Sequence, residues 1–171
     1  MRLSRLVLMV CGVLELAACT STHGLRQTNR SDQHGLAKGR WRTYYDAAER
    51  ESYTTGQYRH GRPVGTFKYY APTGVLDHTE RYGREGFCEV TYWHPNGRVA
   101  RQGRAQWLTG KKGARFYWFG PWTSYDEAGQ LTAINTYTDG SLTRVETYDG
   151  GQLVKVETYE KGRLTGTSSS L

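Results

Sequence analysis

The chain has 171 residues, about one domain's worth, with 23 Lys+Arg against 16 Asp+Glu and a formal net charge of +7. From Cys19 onward, 21 of 153 residues are Leu, Ile, Val or Phe, while all 13 Tyr and all 5 Trp lie there. Aliphatic content this low in a charged chain leaves a core of aromatics to be built. That excludes a large helical bundle and a big α/β enzyme.

Arg2 and Arg5 precede an apolar run of nine residues, Leu6 to Leu14. The run is too short to span a bilayer and has the length of a signal-peptide core. Leu16-Ala17-Ala18-Cys19 follows and resembles the lipobox of bacterial lipoproteins. The resemblance implies removal of residues 1–18 and acylation of Cys19, which would anchor the chain in a membrane. Thr20, in place of Asp, points to the outer membrane in a Gram-negative source. Residues 19–38 are polar and aperiodic after the Cys and read as a flexible tether, with a reach of roughly 24 Å. Residues 39–171 read as the folded domain. Of the three cysteines, Cys88 lies in a strand-like run and reads as a small buried hydrophobe.

The domain repeats itself. Gly65-x-Phe67-x-x-Tyr70-x-x-x-Gly74-x-Leu76 recurs 55 residues later as Gly120-x-Trp122-x-x-Tyr125-x-x-x-Gly129-x-Leu131. A looser copy is Gly39-x-Trp41-x-x-Tyr44. Near the C-terminus the period is 11, at Tyr137, Tyr148 and Tyr159 and at Gly140, Gly151 and Gly162. Since 55 is five times 11, one strand plus one turn per 11 residues is the expected unit.

Asp139-Gly140 and Gly150-Gly151 are two-residue hairpin signals of the I′ type. Folding about the second sets Tyr148 against Leu153, Glu146 against Lys155, Arg144 against Glu157 and Val145 against Val156. Folding about the first sets Tyr137 against Leu142, Thr136 against Thr143 and Ile134 against Val145. This register yields two cross-strand charge pairs and an aliphatic row of Ile134, Val145 and Val156. Asn96-Gly97 signals another hairpin. No segment of residues 39–171 shows a sustained helical period, so the expected fold is all-β, a single-layer antiparallel meander.

The pattern at Tyr58, Gly61, Gly65, Phe67, Tyr70 and Gly74, and again at Gly120, Trp122, Tyr125 and Gly129, resembles the MORN repeat in its bacterial variant. The resemblance covers roughly residues 39–165, with Ala48 replacing a Gly in the first copy and residues 98–119 breaking the rhythm. It implies an elongated array of hairpins that scaffolds, apposes membranes or binds a protein partner. Some bacterial members carry an antitoxin label, which gives a toxin-neutralising role as one alternative. Trp41, Tyr44, Gly65, Phe67, Tyr70, Gly74, Gly120, Trp122, Tyr125 and Gly129 are then structural. Trp93, Trp107, Tyr117 and Trp118 fall outside the motif and are expected to be exposed contacts for an interface or a sugar.

No G-x-S-x-G, H-E-x-x-H, C-x-x-C or P-loop pattern is present, and the five His are scattered. The expectation is no catalysis, no metal and no cofactor. Charge is the strongest functional signal. Residues 19–120 hold 17 basic and 8 acidic groups; residues 121–171 hold 4 and 7. The run 98–115 carries Arg98, Arg101, Arg104, Lys111, Lys112 and Arg115 and no acid. It reads as an irregular basic loop that would meet anionic lipid, an anionic glycan or an acidic protein. The export signal argues against nucleic acid. The sequence thus favours a lipid-anchored envelope protein with a non-catalytic protein-binding or scaffolding domain. A polyanion or glycan binder is the alternative.

Overall fold

The computed structural model describes residues 27–83, 86–110 and 113–169. The signal segment, Cys19, Lys111 and Lys112 lie outside the described residues, as does the side chain of Arg115. Among the described residues, twelve strands follow one another in both sequence and space. They are β1 (Arg30–Ser31), β2 (Ala37–Tyr44), β3 (Ser52–Arg59), β4 (Arg62–Tyr70), β5 (Leu76–Tyr82) and β6 (Phe87–Trp93). The second half is β7 (Val99–Gly110), β8 (Gly113–Tyr125), β9 (Leu131–Thr138), β10 (Ser141–Asp149), β11 (Gln152–Glu160) and β12 (Arg163–Ser169). Every neighbouring pair is antiparallel, in a single open sheet with no helix among the described residues. The expected all-β meander is what the chain forms. The sheet begins earlier than expected, because β1 and the start of β2 fall inside the segment read as a tether.

The turns follow from positive φ. His60-Gly61, Asp139-Gly140, Gly150-Gly151 and Lys161-Gly162 each place two successive residues there, as the I′ turn requires. A longer loop is built the same way four times among the described residues, at Asp32–Gly35, Ala71–Gly74, His94–Gly97 and Asp126–Gly129. In each, the first residue takes a bond from the Gly N–H and donates its own N–H to the carbonyl of the residue after the Gly. Asn96-Gly97 therefore makes the expected hairpin, but through this longer loop and not a two-residue turn.

A bulge or register shift beside the turn explains what the sequence could not give. Shifts occur next to Tyr44, Tyr70, Trp93, Tyr125, Tyr148 and Tyr159, which lie on the strands leading into the turns, and the extra residue falls each time on the strand that leaves the turn. Tyr137–Leu142 and Tyr148–Leu153 pair as expected, but beyond them the ladder has slipped by one residue. Glu146 faces Val156 and Ile134, Arg144 faces Thr158 and Thr136, and Val145 faces Glu157 and Asn135. The expected aliphatic row does not form, since a one-residue slip sends Val145 to the other face. The four charges pair along their own strands: Arg144 with Glu146 at 2.8 Å and Lys155 with Glu157 at 3.2 Å.

The eleven-residue arithmetic also needs correcting. Phe67 on β4 and Trp122 on β8 are four strands apart, not five. The surplus lies in a long β7–β8 hairpin. Gln106 is the last β7 residue paired to β6, and Gly120 the first β8 residue paired to β9. Residues between them have ladder partners only within the hairpin, as a two-stranded arm, tied at its base by the Trp107 N–H to Gly86 O at 3.0 Å. The segment expected to be an irregular loop is thus largely regular strand.

Candidate interaction surface

Alternation along the strands sorts the side chains onto two chemically different faces. One face is aromatic. Trp41, Tyr58, Phe67 and Tyr82 touch in series, with ring centroids 5.6, 5.1 and 5.5 Å apart. A second series runs through Tyr45, Tyr53, Tyr69, His78, Tyr92, Trp122, Trp118 and Tyr137. Phe67, Cys88, Val90, Ala105 and Trp122 are buried among them. A one-layer sheet buries apolar area only by having tall side chains lean on neighbours, which is why the core is aromatic.

Phe67 and Trp122 owe their burial to a glycine on the preceding strand. A β-carbon on Gly56 would fall under 3.0 Å from the Phe67 ring, and one on Gly103 equally close to the Trp122 indole. The ring rests on the bare backbone. Gly65 and Gly120, two residues earlier on the ring-bearing strands, have φ of 69° and 67°, and there three residues oppose one. Trp122 Nε1 donates to Arg104 O at 3.0 Å, and Trp41 Nε1 to Arg30 O at 3.2 Å. The motif residues Trp41, Tyr44, Tyr70 and Tyr125 are half-buried, at repeat positions as expected.

Three of the four aromatics expected to be exposed are half-buried. Trp118 stacks on Trp122 at 4.2 Å, Tyr117 packs on Gly140, and Trp93 has a buried Nε1. Trp93 is in fact a repeat position: Trp93-x-x-x-Gly97-x-Val99 has the spacing and the pairing of Tyr70-x-x-x-Gly74-x-Leu76. Its indole hid the match. Trp107 is 47% exposed as expected, on the arm against Phe116. Tyr45 and Tyr53, which the sequence reading passed over, are 46% and 42% exposed at one end of the aromatic series.

Glu80 is the buried charge on this face. It accepts from Tyr69 at 2.8 Å and Tyr82 at 2.5 Å, and His78 Nε2 lies 3.9 Å from its other oxygen. Burial raises both tyrosine hydroxyls well above their ordinary range, reinforced by the carboxylate they serve. Burial, then Glu80, pushes the Cys88 thiol up to about 12. These are features of a fixed polar core. Among the described residues no group of three His, Cys, Asp or Glu could hold a metal.

The described residues of the basic run, Arg98, Arg101 and Arg104, do not form one patch. Arg98 Nη1 donates to the carbonyls of Ala128 and Glu127. Arg101 lies on the aromatic face, 4.6 Å from the Tyr92 centroid and 4.5 Å from that of Trp118. Arg104 points to the other face, 5.3 Å from the Phe87 centroid.

On that other face a row of paired residues runs Arg42, Thr55, Lys68, Thr79, Thr91, Gln102, Thr123 across β2 to β8. A second row sets Arg81, Glu89, Arg104 and Phe119 side by side. Arg40 pairs with Gln57 on the same face. The outer edge of β2 is closed by Asn29, whose side-chain amide donates to Arg42 O at 2.8 Å and accepts from Arg42 N at 2.7 Å.

The family model of the MORN repeat variant matches residues 120–139, the segment running from Gly120 through Trp122, Tyr125 and Gly129 into β9. No curated protein matches the chain.

Proposed function

We propose that this chain is a lipid-anchored protein of the cell envelope whose repeat domain is a non-catalytic module for binding or scaffolding a protein partner. The observation that carries the reading is the aromatic face. It runs across the sheet from Trp41 on β2 to Tyr137 on β9, with no second layer over it among the described residues. Extended rows of tyrosine and tryptophan are the surfaces that partner proteins use as anchors. The match of residues 120–139 to the MORN repeat variant supports an interaction role. The lipobox-like Leu16–Cys19 supports the anchor, and Thr20 after it supports an outer-membrane address if the cell is Gram-negative.

The test is a crosslinked pull-down from native envelopes, washed at low and high salt, with Tyr45→Ala/Tyr53→Ala run beside the unaltered chain. One protein retained at high salt and lost from the double variant supports the reading. Recovery of cell-wall or lipopolysaccharide material alone, lost at high salt, overturns it.

A further inference from the structure

We propose that the face opposite the aromatic one binds an anionic polysaccharide laid across strands β2 to β7. The proposal stands on a different surface from the protein-binding reading and fails or survives separately from it. Read along the chain, the basic residues look concentrated in 98–115. Read across the sheet, they line up elsewhere. Arg40, Arg42, Lys68, Arg81 and Arg104 are all exposed on this one face. Glu89, 3.4 Å from Arg81, is the carboxylate among them in the described rows.

Two features select a polysaccharide over other polyanions. Arg42 and Lys68 stand two strands apart in one row, as do Arg81 and Arg104 in the next. At the strand spacing their backbone positions lie about 9–10 Å apart, a spacing suited to a polymer charged on alternate units. The positions between and beyond the cations of the first row are Thr55, Thr79, Thr91 and Gln102, which give and accept hydrogen bonds as sugar hydroxyls do. Phe119, 42% exposed and 6.2 Å from the Phe87 ring, adds a flat apolar plate beside Arg104. A surface that inserts into a bilayer would carry apolar side chains along its length, whereas the row from Arg42 to Gln102 has none and Phe119 stands only at its far side; an anionic bilayer met without insertion is the competitor that the vesicles below test. The basic character stops where the sheet changes. Beyond Thr123 the same row continues as Ile134, Glu146, Val156 and Ser168, and Arg144 is paired with Glu146.

The experiment titrates the full chain in detergent micelles with labelled hyaluronate, which bears a carboxylate on alternate sugars; phosphatidylglycerol vesicles and neutral dextran run in parallel. Binding should weaken at least tenfold between about 50 and about 200 mM salt. Arg42→Glu/Lys68→Glu should lose at least tenfold in affinity, and Arg42→Gln/Lys68→Gln a smaller factor in the same direction. The neutral pair is read alone if the charge-reversed pair does not melt like the parent. Lys111→Glu/Lys112→Glu should stay within twofold. The proposal is overturned if hyaluronate does not bind at low salt, or if dextran binds equally. It is equally overturned if vesicles bind and hyaluronate does not displace them, or if the Lys111/Lys112 variant loses as much as the face variants.

Discussion

Gly103 and Trp122 are a fitted pair: the indole occupies the place where a β-carbon on Gly103 would stand, and it donates its Nε1–H to the next carbonyl of the same strand. Gly56 and Phe67 repeat the arrangement four strands earlier. Gly103→Ala should therefore cost about 1–3 kcal/mol through overpacking, and Trp122→Ala about 3–5 kcal/mol through the cavity it leaves. The double variant should cost less than the sum, because both changes act on one contact. Urea denaturation of the three variants measures all of this; simple additivity would show that ring and glycine are independent.

The charges of β10 and β11 give a second prediction. Coupling between Arg144 and Glu146 should be about 0.2–1 kcal/mol, the range for partly exposed pairs. Coupling between Glu146 and Lys155 should be near zero, since the bulge beside Tyr148 moved them out of register. A double-mutant cycle on each pair decides it. A larger value for the second would restore the register that sequence pairing suggests.

That register shows where the sequence stops being readable. The turns were legible because Gly-Gly and Asp-Gly state their backbone need locally. The bulges were not, because an extra residue in one strand is decided by twist and by the ring above it, and no residue type marks it. The aromatic face was half legible. Trp122 and Phe67 stood out by spacing, whereas Trp93 was missed through its changed residue type. Gly56 and Gly103 were missed because their partners sit on the next strand. The charge map failed for a related reason: neighbours in sequence, such as Arg101 and Arg104, reach opposite faces, and Arg42 and Lys68 meet only once the strands pair.

Acid should loosen the N-terminal loops first. The Leu36 N–H bonded to Asp32, and the Glu51 N–H bonded to Asp46, hold both carboxyls below the usual carboxylate range. A carboxyl with a depressed folded pKa contributes stability that is complete above its unfolded value, about 3.9, and is lost as pH falls through the folded value. Asp32→Asn/Asp46→Asn should flatten the fall in melting temperature below about pH 4. An unchanged acid limb would show that other groups govern it.

Cys88 should be inert in the folded chain. Burial and the nearby Glu80 carboxylate push its thiol up to about 12, so little thiolate exists at neutral pH. In a variant with Cys88 as the single cysteine, labelling by a disulfide reagent at pH 8 should proceed at the rate of opening and accelerate sharply in denaturant. Immediate stoichiometric labelling would contradict the burial.

The arm of β7 and β8 has a wider meaning for how such a chain can change. Its two strands are lengthened together and have no ladder partner on another strand beyond Gln106 and Gly120. Matched additions there leave inside and outside undisturbed for every other strand, as the unbroken rows from β2 to β12 attest. A family of such sheets can therefore diversify its reach by trimming or extending single hairpins, while the contacts that hold the rest together are inherited unaltered.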